Sequence, residues 1–411
     1  MNRLEQFVHK ALKDNVALKN VVKWTYQRLM SLLPGPQVDT ELDLTVRPNS
    51  FFGFHDKSPW SSDGRLLLGH TFKGDGTGNQ WKRGVPIGIT VFSGPDWTER
   101  TRVAQTRAWN WQQGAQLQWL GDGRRLVYND FREGTCVGVV QNLEDGSERI
   151  LESAVAAVAP DGNRYASVCF DTLGAAMPGY GYAFRAIDAC SSVSPQELVV
   201  RGMCRSEMVH ITDDQLPSSL PTASEPEGTT FFSHCLFSPD GTRLLFLQRR
   251  SAPNRRLRSE MFCLDLNHRR IRRMNLGDMV SHFTWMGKDA VLVYASTETK
   301  GEGFYVADPT TGEVVDRTLY FNNQDGHPHA TPDGERVVFD TYPNGRRYQR
   351  LFGWEGEEKQ AHALARLYTP MKFWGTSRVD LHPRIRADGT YISFDAGIDG
   401  VRSHVTAKIP S

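Results

Sequence analysis

SPDGTRLLFLQRR, which runs from Ser238 to Arg250, joins a tight turn to an apolar strand. Asp-Gly supplies the positive-φ positions of a short hairpin turn, and the residues after it have the pattern of a half-buried strand. Six more copies of this unit occur along the chain. They begin at Ser61 (SSDGRLLLGHTF), Gly121 (GDGRRLVYNDF), Ala159 (APDGNRYASVCFD), Met286 (MGKDAVLVYAS), Thr331 (TPDGERVVFDTYP) and Arg386 (RADGTYISFDAGI). One turn-and-strand unit therefore recurs through most of the chain.

The spacing of the seven copies predicts the architecture. Counted on the Asp of each turn, or on Lys288 in the degenerate copy, the intervals are 59, 39, 79, 48, 45 and 55 residues. Intervals of roughly 40 to 50 residues are typical of four-stranded propeller blades. We predict an all-β protein, a seven-bladed β-propeller over residues 40–411, with TELDLTVRP from Thr40 closing the ring beside the last blade. The 79-residue interval leaves two interpretations open: one blade with a long insertion, which we favour, or an eighth blade.

Residues 1–36 precede the propeller and predict an N-terminal amphipathic α-helix. Apolar residues recur near helical spacing between Leu4 and Leu33, and Pro34-Gly35 ends the pattern. Six Lys or Arg residues outnumber two acids, so this segment is basic on a nearly neutral protein. Such a helix packs on the propeller or on a partner chain, or it lies on an anionic membrane surface. The sequence leaves these alternatives open.

Composition narrows the class of protein. The chain has 48 Lys and Arg against 47 Asp and Glu, a net charge of +1, so we expect no nucleic-acid partner. No apolar run approaches the roughly 18 residues that span a bilayer, and the first residues lack the apolar stretch of a secretory signal. Six widely spaced cysteines without a CxxC pair predict reduced thiols. We expect a cytoplasmic protein, peripheral at the inner membrane surface if its helix meets lipid.

Four histidines lie six residues before the turn anchor of their repeat. They are His234, His282, His327 and His382. The constant offset places them at equivalent points on the first strands of four successive blades, and first strands line the central channel of a propeller. We therefore expect these imidazoles to converge near the axis, at one mouth of the channel.

The pattern Gln324-x-x-His327-x-His329 is the sharpest motif in the chain. His327 and His329 share a face if this stretch is extended, Gln324 can add a carbonyl oxygen, and His282 can complete the set from the preceding blade. Three imidazoles and an amide oxygen form a mixed nitrogen and oxygen site that suits Mn²⁺, with Zn²⁺, Ni²⁺ or Fe²⁺ not excluded. The alternative is that these histidines only form hydrogen bonds within a polar channel.

At these residues the sequence resembles a known family. The SPDG-type repeats resemble TolB-type propellers, and Gln-x-x-His-x-His with histidines upstream resembles the oligogalacturonate lyases. The resemblance implies a cytoplasmic seven-bladed propeller that holds Mn²⁺ through Gln324, His327, His329 and His282, with His234 as the catalytic base. It also implies β-elimination on a uronic-acid glycan, in which a cation bound to the substrate carboxylate stabilises the charge that develops.

An anionic oligosaccharide or polysaccharide also needs cationic side chains. Arg384, two residues beyond His382, and Lys57, at the same six-residue offset in the first repeat, join His234 as catalytic candidates. His382 is a candidate for substrate binding. The further candidates for binding carboxylates lie close to repeat elements and are Arg249, Arg346 and Arg402.

Two other functions remain open at the level of sequence. Asp340, Asp395 and Asp399 follow strands and could include an acid pair for glycoside hydrolysis. A propeller can also bind a glycan or a protein without catalysis. We expect a metal-dependent polysaccharide lyase, and we keep the hydrolase and the binding module as alternatives.

Overall fold

The computed structural model describes residues 16–410 except 34, 75–81, 83, 122, 183–195, 219, 221–227, 252–256, 318–323, 357 and 359. Seven antiparallel sheets follow one another along these residues, which confirms the seven-bladed propeller. Six sheets have four strands and one has five. We number the blades I to VII in chain order, from the first complete meander.

In each blade, the first strand of the meander lies innermost in the ring. Blade I has β3 (Ser50–Phe51), β4 (Leu67–Thr71), β5 (Ile87–Ser93) and β6 (Glu99–Thr106). Blade II has β7 (Gln118–Leu120), β8 (Arg125–Arg132), β9 (Thr135–Asn142) and β10 (Glu148–Ile150). Blade III has β11 (Ala157–Val158), β12 (Arg164–Val168), β13 (Glu197–Gly202) and β14 (Arg205–Thr212).

The later blades repeat this arrangement. Blade IV has β15 (Thr229–Phe237), β16 (Arg243–Ser251), β17 (Arg258–Asp265) and β18 (Arg270–Arg273), and blade V has β19 (Val280–Met286), β20 (Ala290–Thr297), β21 (Gly301–Ala307) and β22 (Val314–Arg317). Blade VI has β23 (His329–Ala330), β24 (Arg336–Asp340), β25 (Tyr348–Glu355), β26 (His362–Tyr368) and β1 (Val38–Thr40). Blade VII has β27 (Arg384–Ile385), β28 (Tyr391–Ile398), β29 (Val401–Lys408) and β2 (Leu44–Pro48).

The repeated turns have the chemistry that the sequence predicts. The Ser238 hydroxyl and the Thr242 amide both donate to one Asp240 carboxylate oxygen, at 2.6 and 3.0 Å. Gly241 follows with a φ of 68°, a conformation that glycine adopts without steric cost. The same contacts recur around Asp63 and Asp333. Each turn therefore carries its own local hydrogen bonds and sets the register of the strand after it.

The 79-residue interval contains one blade and its insertions. Residues 169–196 separate β12 from β13 and include a short helix, α2 (Phe170–Ala176). A second connection, residues 213–228, links blade III to blade IV. The interpretation as one blade with an insertion is therefore confirmed over the eighth blade.

The ring is closed by strands from the beginning of the chain. β2 pairs antiparallel with β29, Leu44 opposite Ala407, and so completes blade VII. This is the closing role that the sequence predicts for TELDLTVRP. β1 adds a fifth strand to blade VI by pairing with β26, which the sequence pattern does not predict. The pairing with β2 covers the outer edge of β29, which would otherwise be open to edge-to-edge association.

One buried carboxylate joins the last blade to the first. Asp395 accepts hydrogen bonds from the amides of Phe52 and Gly53, each at 3.1 Å. Its oxygens also meet the Arg402 guanidinium at 2.7 Å and the Arg384 guanidinium at 3.5 Å, and all three side chains are almost fully buried. Gly53 has a φ of 120°, and a Cβ there would lie 2.8 Å from the backbone of the 107–117 loop. The network therefore holds the segment that enters the central channel.

The N-terminal helix, α1 (Val16–Met30), lies against loops of blade VI and of its connection to blade VII. The Gln27 amide donates to the carbonyl of Asn344 at 2.9 Å and accepts from Arg347 at 3.1 Å. Residues 1–15 of the predicted helical segment lie outside the described residues. Among the described residues, no helix is long and apolar enough to cross a bilayer.

We predict that Asp395→Ala lowers the free energy of unfolding by about 3–5 kcal/mol, because it leaves two buried guanidinium groups without their carboxylate. Urea denaturation followed by circular dichroism measures this loss. Glu355→Ala is the matched control, since it removes the partner of Arg336 from a solvent-exposed ion pair and should cost less than about 1 kcal/mol. Equal stability of the two variants would show that the buried network does not hold the closure.

Candidate functional site at the channel mouth

The four registered histidines lie together at one end of the central channel. The ring centroids of His282 and His327 are 4.2 Å apart, and those of His327 and His382 are 4.3 Å apart. His234 follows on the other side of His282 at 6.2 Å. Side chains from four successive blades thus form one continuous imidazole cluster.

Irregular backbone directs these side chains toward the axis. His234 and His382 have φ values of 54° and 44°, which are uncommon for residues other than glycine. Gln116, at the same six-residue offset in blade II, has a φ of 55°. A register shift between β15 and β16 spans His234, and one between β19 and β20 spans His282. Bulges of this kind re-aim side chains next to functional sites.

Aspartates set the tautomers of two of the imidazoles. The Nδ1 of His282 lies 3.1 Å from an oxygen of Asp325, and the Nδ1 of His327 lies 2.8 Å from an oxygen of Asp340. A carboxylate accepts here, so each Nδ1 donates and each Nε2 keeps its lone pair for a ligand. Metal-binding histidines are commonly oriented by a carboxylate in this way.

Phe54 and His55 enter the cluster from the segment that Asp395 anchors. The Nδ1 of His55 donates to the carbonyl oxygen of Pro328 at 2.7 Å, which again leaves an Nε2 lone pair. The His55 ring lies 5.4 Å from that of His327 and 5.6 Å from that of His282. His55 is therefore a fifth imidazole of the site, contributed by blade I.

Several polar atoms at this point are buried and have no hydrogen-bond partner among the residues that the structure describes. They are the Nε2 atoms of His55, His234 and His327, both ring nitrogens of His382, and Oδ1 of Asp380. Buried polar atoms without partners are rare in folded proteins and call for an explanation such as a bound ion or water. The ligand atoms of His327, Asp380 and His382 lie within 4.8 Å of one another. These three residues could hold one metal ion.

Burial and neighbouring charges determine which groups are ionised. Burial, together with the nearby Arg249, holds the pKa of His234 well below its ordinary value, and burial beside His327 does the same for His382. Burial alone would lower the pKa of His327, but Asp340 raises it above its ordinary value. Burial would raise the pKa of Asp380, yet Arg378 holds it below the usual range. The site thus presents the neutral imidazoles of His234 and His382 next to the ionised carboxylate of Asp380.

A cleft of about 700 Å³ opens beside the cluster. His282 and Tyr342 line it on the side of the imidazoles, and Arg249, Arg378 and Tyr180 line it on the side of blades III, IV and VII. Burial lowers the pKa of Arg249 to about 10, so its guanidinium is still charged at neutral pH. The Arg378 guanidinium donates to Asp380 at 2.6 Å and to the Tyr180 hydroxyl at 2.7 Å. The cleft therefore has two cations in its lining and adjoins the imidazole cluster through His282 and Arg378.

A much smaller void lies behind His234. It has a volume of about 10 Å³, roughly the room that one water needs. Lys57, Asp56 and Gln116 line it together with His234, and the Lys57 ammonium donates to Asp56 at 2.6 Å. Lys57 is thus close to the predicted base, but its charge is already paired.

The structure places the predicted metal ligands in two environments. His282 and His327 face the cluster, whereas the Nδ1 of His329 accepts a hydrogen bond from the Ile385 amide at 3.3 Å, between blades VI and VII. Gln324 is exposed. The strand β23 begins only at His329 and His327 precedes it, so the two imidazoles do not belong to one strand. The set of Gln324, His282, His327 and His329 stays a prediction, and the group around Asp380 is an alternative to it.

The predicted substrate cations are also divided. Arg249 lines the cleft, and His382 is buried in the imidazole cluster with His327 and Asp380. Arg384 and Arg402 are buried on Asp395, where they stabilise the ring closure. Arg346 is exposed beside the N-terminal segment, its guanidinium 6.0 Å from the centroid of the Tyr348 ring.

Sequence reasoning missed His55, Arg378 and the aspartates, although a signal for two aspartates is present. Asp325-Gly-His327-Pro328 and Asp380-Leu-His382-Pro383 share the pattern Asp-x-His-Pro, eight residues before their turn anchors. Each of these aspartates serves the imidazole of the preceding blade: Asp325 contacts His282, and Asp380 lies beside His327. His55 and Arg378 have no comparable repeat and depend on the tertiary fold.

No family model matches the chain, and no curated protein matches it. Among solved structures, an oligogalacturonate lyase in complex with manganese is 14% identical, with a TM-score of 0.63 over 91% of this chain and 94% of that one. An oligogalacturonate lyase from Vibrio parahaemolyticus is 12% identical, with a TM-score of 0.61 over 92% and 99% of the two chains. The fold is similar to that of the oligogalacturonate lyases. A structure of the mitotic checkpoint complex also matches, at 9% identity and a TM-score of 0.53 over 92% and 97%.

The residues present fit a divalent cation on chemical grounds. His327 and His382 offer imidazole nitrogens, Asp380 offers a carboxylate oxygen, and all three side chains are buried with ligand atoms that lack protein partners. Mixed imidazole and carboxylate donors suit Mn²⁺, Fe²⁺ and Zn²⁺. The Asp340 carboxylate behind His327 supplies the outer contact that such ligands usually have.

We predict that His382→Ala and Asp380→Asn each abolish stoichiometric binding of a divalent ion, whereas Asp340→Asn weakens it by about 10–100-fold. Elemental analysis of protein purified without chelator, and titration calorimetry with Mn²⁺, measure the two effects. His327→Ala should also lose the ion, because His327 belongs to both candidate ligand sets.

Gln324→Ala and His329→Gln separate the two sets. Retention of the ion in both variants supports the group of His327, Asp380 and His382. Loss of the ion in both, with retention in Asp380→Asn, would instead support the set predicted from the sequence. Melting curves of each variant exclude unfolding as the cause of a lost ion.

Proposed function

We propose that this protein is a metal-dependent lyase that cleaves a uronic-acid-containing oligosaccharide or polysaccharide by β-elimination. The observation that carries the proposal is the buried group of His327, Asp380 and His382, whose ligand atoms lack partners among the described residues. This group adjoins a cleft with two arginines, because Arg378 of the cleft donates to Asp380 and the ring of His282, which also lines the cleft, lies 4.2 Å from that of His327. The similarity to an oligogalacturonate lyase that binds manganese supports the same chemistry.

The cleft cations suit a substrate that carries carboxylates. Arg249 and Arg378 both line the cleft, and arginine recognises carboxylates through paired N–H donors. Tyr180 and Tyr342 add flat apolar surface and hydroxyl groups in the same cleft, which suits a sugar ring with hydroxyl edges. An anionic glycan therefore matches the cleft better than a neutral ligand does.

His234 is the group that removes the proton. Its Nε2 is buried without a partner, and its low pKa keeps the imidazole neutral at pH 7, so it can accept a proton. The proton leaves the carbon α to the uronate carboxylate, and the electron pair forms a double bond to the neighbouring carbon. The glycosidic C–O bond on that carbon then breaks, and the departing oxygen takes up a proton.

His327, Asp380 and His382 would hold the cation beside the cleft, where Arg378 bonds to Asp380. When bound, a divalent cation supplies a Lewis acid that stabilises the negative charge next to the carboxylate. Arg249 and Arg378 orient the carboxylate, and their positive charges also favour the transition state. Phe54, in contact with the His234 ring at a centroid distance of 4.8 Å, helps to exclude water from the base.

The hydrolase alternative loses two of its three carboxylates to structural contacts. Asp340 accepts from the amides of His327 and His382 and from the His327 ring. Asp395 is enclosed by Arg384 and Arg402. Asp399 is in an exposed turn of blade VII. Elimination is therefore the better match to the arrangement of groups.

We predict that His234→Ala lowers kcat/KM for elimination by about 10²–10⁴-fold, the usual contribution of a positioned base. The assay follows the ultraviolet absorbance of the unsaturated product formed from oligogalacturonate and from other uronate polymers, with Mn²⁺ present. His268→Ala is the matched control, because His268 is an exposed histidine on an outer turn of blade IV.

The products separate the three functions. Unsaturated products that depend on His234 support the lyase, and full eliminase activity of His234→Ala on a confirmed substrate would refute the assignment of the base. Saturated products that depend on a carboxylate would identify a hydrolase. Tight glycan binding without turnover would identify a binding module.

A further inference from the structure

The exposed apolar surface of the described residues is concentrated in one place. Nine large hydrophobic side chains are exposed, and five of them fall in the 13 residues from 21 to 33. They are Val21 (61% exposed), Trp24 (40%), Leu29 (62%), Leu32 (78%) and Leu33 (50%). A cluster of exposed apolar side chains on an otherwise ordinary surface marks an interaction site.

The helix presents this surface because its opposite side is held by the propeller. Gln27 is 2% exposed and bonds to Asn344 and Arg347. Val21 and Leu29 lie on the side of α1 that faces away from Gln27, whereas Trp24, three residues before Gln27, lies on the flank of the exposed side. The apolar face is thus fixed outward on a rigid support.

The charge of the segment favours one kind of surface. Between Val16 and Val38 the chain has Lys19, Lys23 and Arg28 and no acidic residue. Lys372 and Arg346, both exposed, belong to the two loops that carry the helix. Exposed Trp and Leu beside Lys and Arg are typical of helices that lie in the interface of an anionic bilayer.

We propose that α1 and the turn after it, residues 21–33, dock the protein on an anionic phospholipid surface. The apolar side chains enter the boundary between headgroups and acyl chains, and Lys23 and Arg28 meet the anionic headgroups. The inference is independent of the proposed lyase function, since it uses no residue of the candidate metal site.

The docking helix and the cleft lie at the same end of the propeller. The Gln27 amide also donates to the carbonyl of Pro343 at 3.2 Å, and the neighbouring Tyr342 lines the cleft. Arg347, which bonds to Gln27, also donates to the carbonyl of Phe373, in the connection that leads to Arg378. Docking would therefore bring the cleft close to the membrane surface.

Co-sedimentation of the full-length protein with vesicles tests the proposal. We expect binding to vesicles of phosphatidylcholine with about a third phosphatidylserine, and much weaker binding to phosphatidylcholine alone or at 0.5 M salt. Lys23→Gln and Arg28→Gln should each weaken binding by about fivefold. Leu29→Ser with Leu32→Ser should abolish it, because these exposed positions supply the apolar contact.

Ile150→Ser with Val315→Ser is the matched control, since both residues are exposed hydrophobics on outer strands of other blades. Equal vesicle binding by this control and by the Leu29→Ser, Leu32→Ser variant, after equal melting curves, would overturn the proposal. Light scattering provides the second readout. A concentration-dependent dimer that the Leu29→Ser, Leu32→Ser variant loses, without vesicle binding by the parent, would assign this face to a second copy of the chain.

Discussion

The contact between Asp395 and the amides of Phe52 and Gly53 supports both the fold and the site. It ties the last blade to the segment that starts the first, which is the seam where a propeller can open. Two buried guanidinium groups also pair with Asp395, so loss of this carboxylate would destabilise the fold strongly, because a buried charge without its partner is costly. The next residues along the segment are Phe54 and His55. The closure of the ring therefore also positions a phenyl ring and an imidazole at the centre of the candidate site.

The site itself depends on strands that are locally irregular. A regular strand would turn alternate side chains toward neighbouring blades, as happens at His329, whereas the positive φ of His234 and His382 turns their imidazoles to the axis. Such backbone costs of order 1 kcal/mol or more at each residue. The aspartates of the Asp-x-His-Pro segments then link each blade to the imidazole of the one before it. Strain and buried charge are concentrated in the same few residues, as is common at functional sites.

The sequence predicts those features that repeat and misses those that occur once. The blade period and the common offset of His234, His282, His327 and His382 follow from the spacing of the turns, and the closing strand follows from the alternating apolar residues of TELDLTVRP. Burial of Arg384 and Arg402 does not follow, because a strand pattern cannot show that a cation faces a carboxylate of the closing seam. The prediction that His327 and His329 share a face assumed one strand through both residues, but the strand begins two residues after His327. His55 reaches the site only through the tertiary fold, so no local pattern marks it.

Charge balance links the cation site to the substrate. Asp325, Asp340 and Asp380 surround imidazoles of which His55 and His382 are held neutral by burial, and Arg378 is already bonded to Asp380. Without another positive charge, this group of carboxylates would disfavour an anionic ligand in the adjoining cleft. A proton on His327 offsets part of the excess, and the raised pKa of that imidazole reflects this demand. If His327, Asp380 and His382 hold a divalent cation as we propose, that cation would offset more of this negative charge than one proton does, and so would favour an anionic group in the cleft that Arg249 lines.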